Sequence, residues 1–303
     1  MSEPAAEPVI DFVLTADGRR LEVMTSGPAD GFPLVFHNGT PSAVVPFAPL
    51  DRAVAAAGLR MVTYSRPGYG ASAPRSDADR PGVVADDVTD TAAILDALGI
   101  GEFVTLGWSG GGPRALACAA LLPERCRGAA SLAGVAPYGV EGLDWFADMG
   151  PENVRDFNAA LEGEEALRPF VEAEAAEFAQ LTADDVVASF GELVSEVDAA
   201  AITGEFAEFL AADFRRSCEQ GVIGFLDDNL VLAQPWGFDL GAIVVPVAVW
   251  QGRHDKMVPF GHGLWLADAI PGARRHLYED EGHLTLVNQL DRILADLRDL
   301  AGL

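Results

Sequence analysis

Basic residues are scarce in this sequence. Lysine and arginine together number 20 against 46 aspartates and glutamates, a formal net charge of −26. Nucleic-acid affinity depends on lysine and arginine neutralising phosphates, so nucleic acid is excluded as a partner, and an anionic membrane surface with it. The acidity reads as a solubility trait or as adaptation to salt. Cysteine is also scarce: Cys118, Cys126 and Cys218 form an odd set without paired spacing, which argues against a disulfide framework. There is no C-x-x-C and the five histidines are scattered, so neither a metal nor a cofactor is expected. No apolar run reaches the length of about 18 residues that a membrane-spanning helix needs. The N-terminal stretch Met1–Pro8 is acidic and has no apolar segment of signal-peptide length, so the expected compartment is the cytoplasm.

What is present is a long chain with much to bury. Its 303 residues are half apolar, enough for one large core or two modest ones. Val9–Leu14 and Leu21–Thr25 read as an opening hairpin around Ala16-Asp17-Gly18. Pro33–His37, Leu59–Tyr64, Phe103–Leu106 and Ala129–Leu132 are apolar runs of buried-strand type. Helical periods lie between them at Phe47–Ala57, Val84–Leu98 and Pro113–Leu122, the first two closed by Gly58 and Gly99. From Pro137 to Trp236 the sequence carries helical periods and almost no strand signal. The alternation resumes with Ile243–Trp250, Gly261–Ala269, Arg275–Tyr278 and Leu284–Leu300. The reading is an α/β fold with a mostly parallel sheet covered on both faces, interrupted by a helical block. There is no internal repeat or low-complexity linker.

Gly107-Trp108-Ser109-Gly110-Gly111 sits where a buried strand meets a helix. A nucleophilic serine must project from a tight strand-to-helix turn, and glycines two before and two after let the backbone close up. The helix that follows aims free N–H groups and its positive end at a developing oxyanion. The same glycines satisfy a loose dinucleotide fingerprint, Gly110-x-Gly112-x-x-Ala115. That reading needs an acid at the end of the next strand, where Ser131-Leu132-Ala133-Gly134 stands instead. A serine nucleophile needs a base near neutral pKa, and histidine fits. His283 falls in a loop between the last strand and last helix, at the sheet edge that carries Ser109. His276 falls within a strand and His262 in a helix, and both read as structural. Asp255, in Gly252-Arg253-His254-Asp255 after another strand, lies at that edge too and would accept the histidine's Nδ1–H.

With Ser109, Asp255 and His283 in that chain order, the sequence resembles the α/β-hydrolase superfamily. The resemblance also rests on His37-Asn38-Gly39-Thr40-Pro41, Ser65-Arg66-Pro67-Gly68-Tyr69-Gly70, Gly252–Pro259 and Glu281-Gly282-His283, and spans the chain outside the helical block. It implies an α/β-hydrolase fold, with residues 1–136 and 237–303 as the core and 137–236 as a helical cap. It also implies an oxyanion hole made by the backbone N–H groups of Thr40 and Gly110, with Gly39 turning the chain. Trp108 and Asn38 are the expected substrate contacts. Asn38 stands where the family usually has a histidine, and Ser65 where an aspartate often precedes Arg-Pro-Gly.

The expected reaction is acyl transfer to water through an acyl-enzyme, on a carboxylic ester. An amide, a lactone or a C–C bond beside a carbonyl stays open, as does a binding or receptor protein that keeps the fold without turnover. The partner is a small molecule. The block from Pro137 to Trp236 carries 22 acidic and four basic residues and nine of the 16 phenylalanines. Helices with acidic outer faces and aromatic inner faces produce that composition. The rings either pack the block against itself and the core or line an apolar acyl pocket, and on the second reading neutral, moderately apolar esters are preferred.

Overall fold

A computed structural model describes residues 7–303; Met1–Ala6, most of the acidic N-terminal stretch, lie outside the described residues. Strands β1 (Val9–Leu14) and β2 (Arg20–Ser26) form the opening hairpin, in register from Val9 opposite Thr25 to Leu14 opposite Arg20. Then come β3 (Phe32–His37), α1 (Ala48–Ala56), β4 (Leu59–Tyr64), α2 (Asp87–Ala97), β5 (Phe103–Trp108), α3 (Gly112–Leu121) and β6 (Cys126–Leu132). Six helices follow without an intervening strand: α4 (Pro151–Glu162), α5 (Glu164–Phe178), α6 (Val186–Ser189), α7 (Glu196–Ala201), α8 (Gly204–Ser217) and α9 (Ile223–Leu232). The chain closes with β7 (Val247–Gly252), α10 (Phe260–Ala269), β8 (Arg274–Tyr278) and α11 (Leu290–Ala301).

The eight strands form one sheet in the order β1-β2-β4-β3-β5-β6-β7-β8, antiparallel at β1–β2–β4 and parallel elsewhere. Successive side chains of a strand point to opposite faces. Leu34 and Phe36 of β3 therefore join one apolar cluster with Leu50, Ile293 and Leu297, while Val35 joins the other with Leu116 and Leu266. Burying a side chain of this kind contributes about 1.5–3 kcal/mol. The segment between β6 and β7 belongs to both clusters, through Trp145, Phe157 and Phe225 on one side and Phe206, Leu210 and Phe214 on the other.

Several element boundaries differ from the sequence reading, and three of them show the cause. Strand β6 begins at Cys126, three residues earlier than its apolar run, because the backbone ladder with β5 already starts there. Strand β7 begins at Val247 rather than Ile243: Pro246 has no N–H to give the ladder, and Leu240–Ala242 form a 3₁₀ turn. The last helix starts at Leu290, because Thr285–Gln289 wind as a 3₁₀ turn before it. In each case the hydrophobic pattern marks burial, and the local hydrogen-bond geometry decides the element.

The carboxyl ends of the parallel strands lie side by side. His37 of β3 is level with Gly107 of β5, Trp108 with Leu132 of β6, Leu132 with Trp250 of β7, and Gly252 with Tyr278 of β8. The loops after β3, β5, β7 and β8 therefore converge on one edge, where open α/β sheets carry their sites.

Candidate active site

Ser109 is the residue that follows β5, and its φ is +56°. Left-handed backbone costs a non-glycine residue about 1–2 kcal/mol, and it throws the side chain off the strand's line. The turn is crowded on every side. A Cβ on Gly107 would run into the Gly111 carbonyl, and a Cβ on Gly111 into the carbonyls of His37 and Asn38. Glycine at both positions is thus a packing requirement of the turn. Ser109–Gly111 form a 3₁₀ turn that leads into α3, so the amino end of a helix lies directly behind the serine.

His283 and Asp255 meet in the interior. Both are buried, and His283 Nδ1 donates to Asp255 Oδ2 at 2.7 Å. The same carboxylate oxygen accepts Gln251 Nε2 at 2.9 Å, and Oδ1 accepts the backbone N–H groups of Met257 (2.9 Å) and Val258 (2.8 Å). Four donors on one carboxylate suit its ionised form. Burial disfavours the His283 imidazolium, but the Asp255 charge and hydrogen bond outweigh it and raise the histidine above its ordinary pKa. The Trp108 ring stacks on the imidazole at 6.2 Å between centroids and 25° between planes.

The turn after β3 brings Thr40 against Gly110: the Thr40 backbone nitrogen lies 3.5 Å from the point where a Cβ on Gly110 would project. A Cβ on Gly39 would lie 3.5 Å from the Cβ of Ser109. Two arginines hold these loops from behind. Arg66 donates to the carbonyls of Asn38 and Gly39, and Arg114 donates to the carbonyl of Gly110 at 2.6 Å. Both arginines pair with Asp228 of α9, which also accepts the Thr40 hydroxyl at 2.7 Å and the Tyr69 hydroxyl at 3.0 Å. Burial opposes ionisation of Asp228, yet the Arg66 and Arg114 charges prevail and lower its pKa to about 2. The Asn38 side chain turns to Thr63 Oγ1 at 3.1 Å, and Ser65 takes the N–H of Val44 while donating to Glu22.

Two cavities open beside Ser109. The first, of about 100 Å³, is walled by Ser109, His283, Asn38, Thr40, Trp108 and a largely apolar remainder that includes Phe47, Phe209 and Phe214. The second, of about 250 Å³, shares Thr40, Ser109, Phe190 and Phe214 with the first and adds Gly110, Phe157 and Phe225. All seven residues singled out in the sequence therefore gather at one place: Ser109, His283, Asn38, Thr40 and Trp108 on the first cavity, Gly110 on the second, and Asp255 behind the imidazole. No direct hydrogen bond joins Ser109 Oγ to His283, and the two meet as walls of one cavity; such contacts often tighten only with substrate. The Trp108 indole N–H is buried without a partner among the described residues.

Three of the other histidines stand apart from this pair. His262 accepts the N–H of Ala136 and donates to the carbonyl of Trp145. His276 stacks on Trp250 and contacts Asp296 at 3.0 Å. Burial lowers His37 to about 3. Among the described residues no cluster of three or more His, Cys, Asp or Glu could hold a metal, and no helix is long and apolar enough to cross a membrane.

From the helical block, sequence reasoning singled out only Asp227 and Asp228, as possible stand-ins for Asp255, and missed the part its other buried acids play. It placed acidic residues on outer faces, but Asp156, Asp198, Asp213, Asp227 and Asp228 are buried. Asp213 accepts Ser42 Oγ at 2.8 Å and the Ala43 N–H at 2.8 Å, and burial pushes its pKa up to about 7. A signal existed at one of these sites: α9 reads Ile-Gly-Phe-Leu-Asp-Asp-Asn-Leu-Val-Leu, with two acids in the middle of an apolar helix. A polar group there needs a buried partner.

The family model for the alpha/beta hydrolase fold matches residues 33–289, and the chain belongs to that family of hydrolases. It is 27% identical over 293 residues to 2-hydroxymuconate semialdehyde hydrolase of Pseudomonas putida, covering 96% of this chain and 94% of that protein. It is 28% identical over 230 residues to 2-hydroxy-6-oxononadienedioate/2-hydroxy-6-oxononatrienedioate hydrolase of Cupriavidus pinatubonensis, covering 75% and 71%. Among solved structures, a hydrolase from Pseudomonas aeruginosa superposes with a TM-score of 0.69 at 20% identity, covering 97% of this chain and 98% of that one.

Proposed function

We propose that this protein is a serine hydrolase that cleaves a carboxylic ester of a small, neutral, moderately apolar substrate through an acyl-enzyme. The observation that carries the reading is the buried His283–Asp255 pair, 2.7 Å apart, beside a cavity whose wall also includes Ser109. In the proposed reaction His283 Nε2 takes the proton of Ser109 Oγ as the oxygen attacks the ester carbonyl. The Thr40 and Gly110 N–H groups stabilise the oxyanion, and Asp255 stabilises the imidazolium. Collapse of the intermediate breaks the C–O bond, and His283 returns the proton to the leaving alkoxide. Water, deprotonated by His283, then attacks the acyl carbonyl and frees Ser109. Trp108 and Asn38 contact the substrate, and residues 137–236 act as the cap over the site.

The neutrality of the substrate is argued from the cavity walls. Among the described residues the only arginine on either cavity is Arg155, which is paired with Asp156 and Glu174. A free substrate carboxylate would find no unpaired cation there among the described residues, and Glu152 and Glu177 on the wall of the second cavity would oppose it. This separates the chain from the Cupriavidus relative, whose name is that of a dioate hydrolase. Hydrolysis of a C–C bond beside a carbonyl, with the same three residues, is the second reading, and it is favoured by the relatives' names alone.

The test is fluorophosphonate labelling with mapping of the labelled residue, followed by a panel of neutral esters and a dienedioate ketone. The expected result is labelling at Ser109, ester turnover well above C–C cleavage, and a Ser109→Ala protein that folds but keeps less than about a hundredth of kcat. Labelling elsewhere, or an active Ser109→Ala protein, refutes the reading; tight ligand binding without turnover makes the protein a receptor.

A further inference from the structure

Asp198 lies on α7, in the stretch between β6 and β7, yet its carboxylate is fully buried against the loop that carries His283. Oδ2 accepts the backbone N–H of His283 at 3.0 Å and the Ser195 hydroxyl at 2.9 Å. Oδ1 accepts the N–H groups of Leu284 at 2.7 Å and Thr285 at 2.9 Å. Three consecutive amides therefore converge on one carboxylate, an arrangement that favours an anion. No arginine, lysine or histidine pairs with Asp198 among the described ion pairs. The residue before the histidine must be small for the same reason: a Cβ on Gly282 would overlap the Asp198 carboxylate. The glycine of Glu281-Gly282-His283 is thus matched to an acid 84 residues earlier in the chain.

We propose that Asp198 is a positioning residue for His283, holding the histidine's backbone through three amides and placing a second negative charge behind the imidazole. The inference rests on reading His283 as the general base. The groups that face the imidazole are Asp255 from the loop after β7, Trp108 from the end of β5, and Asp213 of α8 across the shared cavity. Glu281, on the histidine's own loop, is engaged by Gln289 at 2.7 Å. Asp198 adds to Asp255 in favouring the imidazolium. Removing its charge lowers the histidine pKa. The base works in its neutral form, so activity then persists to lower pH. Because α7 belongs to the helical block, the block's docking and the histidine's readiness become one event.

The experiment measures kcat and KM against pH for the full chain with p-nitrophenyl butyrate, in wild type, Asp198→Asn and Asp198→Glu, with thermal melts alongside. For Asp198→Asn the expected result is kcat down about ten-fold or more, KM within about two-fold, and the acid limb of kcat/KM displaced downward by about half a pH unit or more. Asp198→Glu retains the charge with a longer stem. It is expected to keep the wild-type midpoint while kcat stays low, which a purely structural role would not produce. A lowered melting temperature with unchanged kcat and unchanged midpoint in Asp198→Asn overturns the inference, as does a midpoint that moves equally in both variants. If Ser109→Ala is inactive and wild type is labelled at Ser109, such results count against Asp198 alone. If Ser109→Ala is active, it is the hydrolase reading that fails.

Discussion

Replacing Asp255 with asparagine changes three atoms and reverses the logic of a buried hydrogen-bond set. The carboxylate accepts four donors: His283 Nδ1 and Gln251 Nε2 at one oxygen, and the Met257 and Val258 amides at the other. Asparagine offers one oxygen. If that oxygen keeps the two backbone amides, the new NH₂ group points at Gln251 Nε2 and at the imidazole. Gln251 retains its bond to the Val258 carbonyl, so the structural loss is toward the lower end of about 1–3 kcal/mol for an unsatisfied buried donor. The functional loss is larger. The imidazole can meet an NH₂ group only with an Nδ1 lone pair, which puts its proton on Nε2, where the serine's proton has to go. The expected fall in kcat is about 10³–10⁴-fold, or about 4–5.5 kcal/mol of transition-state stabilisation, with KM changed much less. The assay is steady-state turnover of a neutral ester together with a thermal melt to show that the variant is folded. A folded Asp255→Asn protein within ten-fold of wild-type kcat refutes the reasoning. Asp228 offers no rescue, because its carboxylate is committed to Arg66, Arg114, Thr40 and Tyr69. Asp227 is likewise taken, by Arg80.

Two further outcomes follow from the same geometry. Gly111→Ala drives a methyl group into the carbonyls of His37 and Asn38, and is expected to cost more than about 3 kcal/mol of stability, read by chemical denaturation; a near-wild-type midpoint refutes the packing argument. For a matched pair of a neutral acyl ester and its ω-carboxylate analogue, kcat/KM is expected to favour the neutral one at low salt. The gap should narrow as salt screens the acidic walls over a Debye length of about 10 Å at 0.1 M, and equal rates at low salt remove charge from the account of selectivity.

Much of this architecture is written in local patterns. Apolar runs without alternation mark strands covered on both faces, and β5 and β7 are such strands, buried along nearly their whole length. Glycines flanking Ser109 announce a turn that tolerates no side chain, and the atoms a side chain would meet are the carbonyls of Gly111, His37 and Asn38. The gathering of Ser109, Asp255 and His283 at one edge also follows from sequence, because parallel strands send all their carboxyl ends the same way. Strand ends are less legible, since a hydrophobic run records burial, and Pro246 or a 3₁₀ turn decides where pairing starts.

The contribution of the helical block could be settled only in three dimensions. Its acids outnumber its bases so heavily that solvated faces are the natural expectation, and most of them read that way. Asp198, Asp213 and Asp228 are exceptions because the amides and arginines they satisfy lie far away in the chain: Leu284 and Thr285 for the first, Ala43 for the second, Arg66 and Arg114 for the third. Hydrophobic periodicity depends on residues three and four apart and is visible in any short window. A buried charge is tolerable only beside partners that the tertiary fold delivers, and no local window contains them. The sequence alone therefore determined the sheet, the turn at Ser109 and the candidate triad, while tertiary packing decided which of the block's acids hold the loops of the candidate site in place.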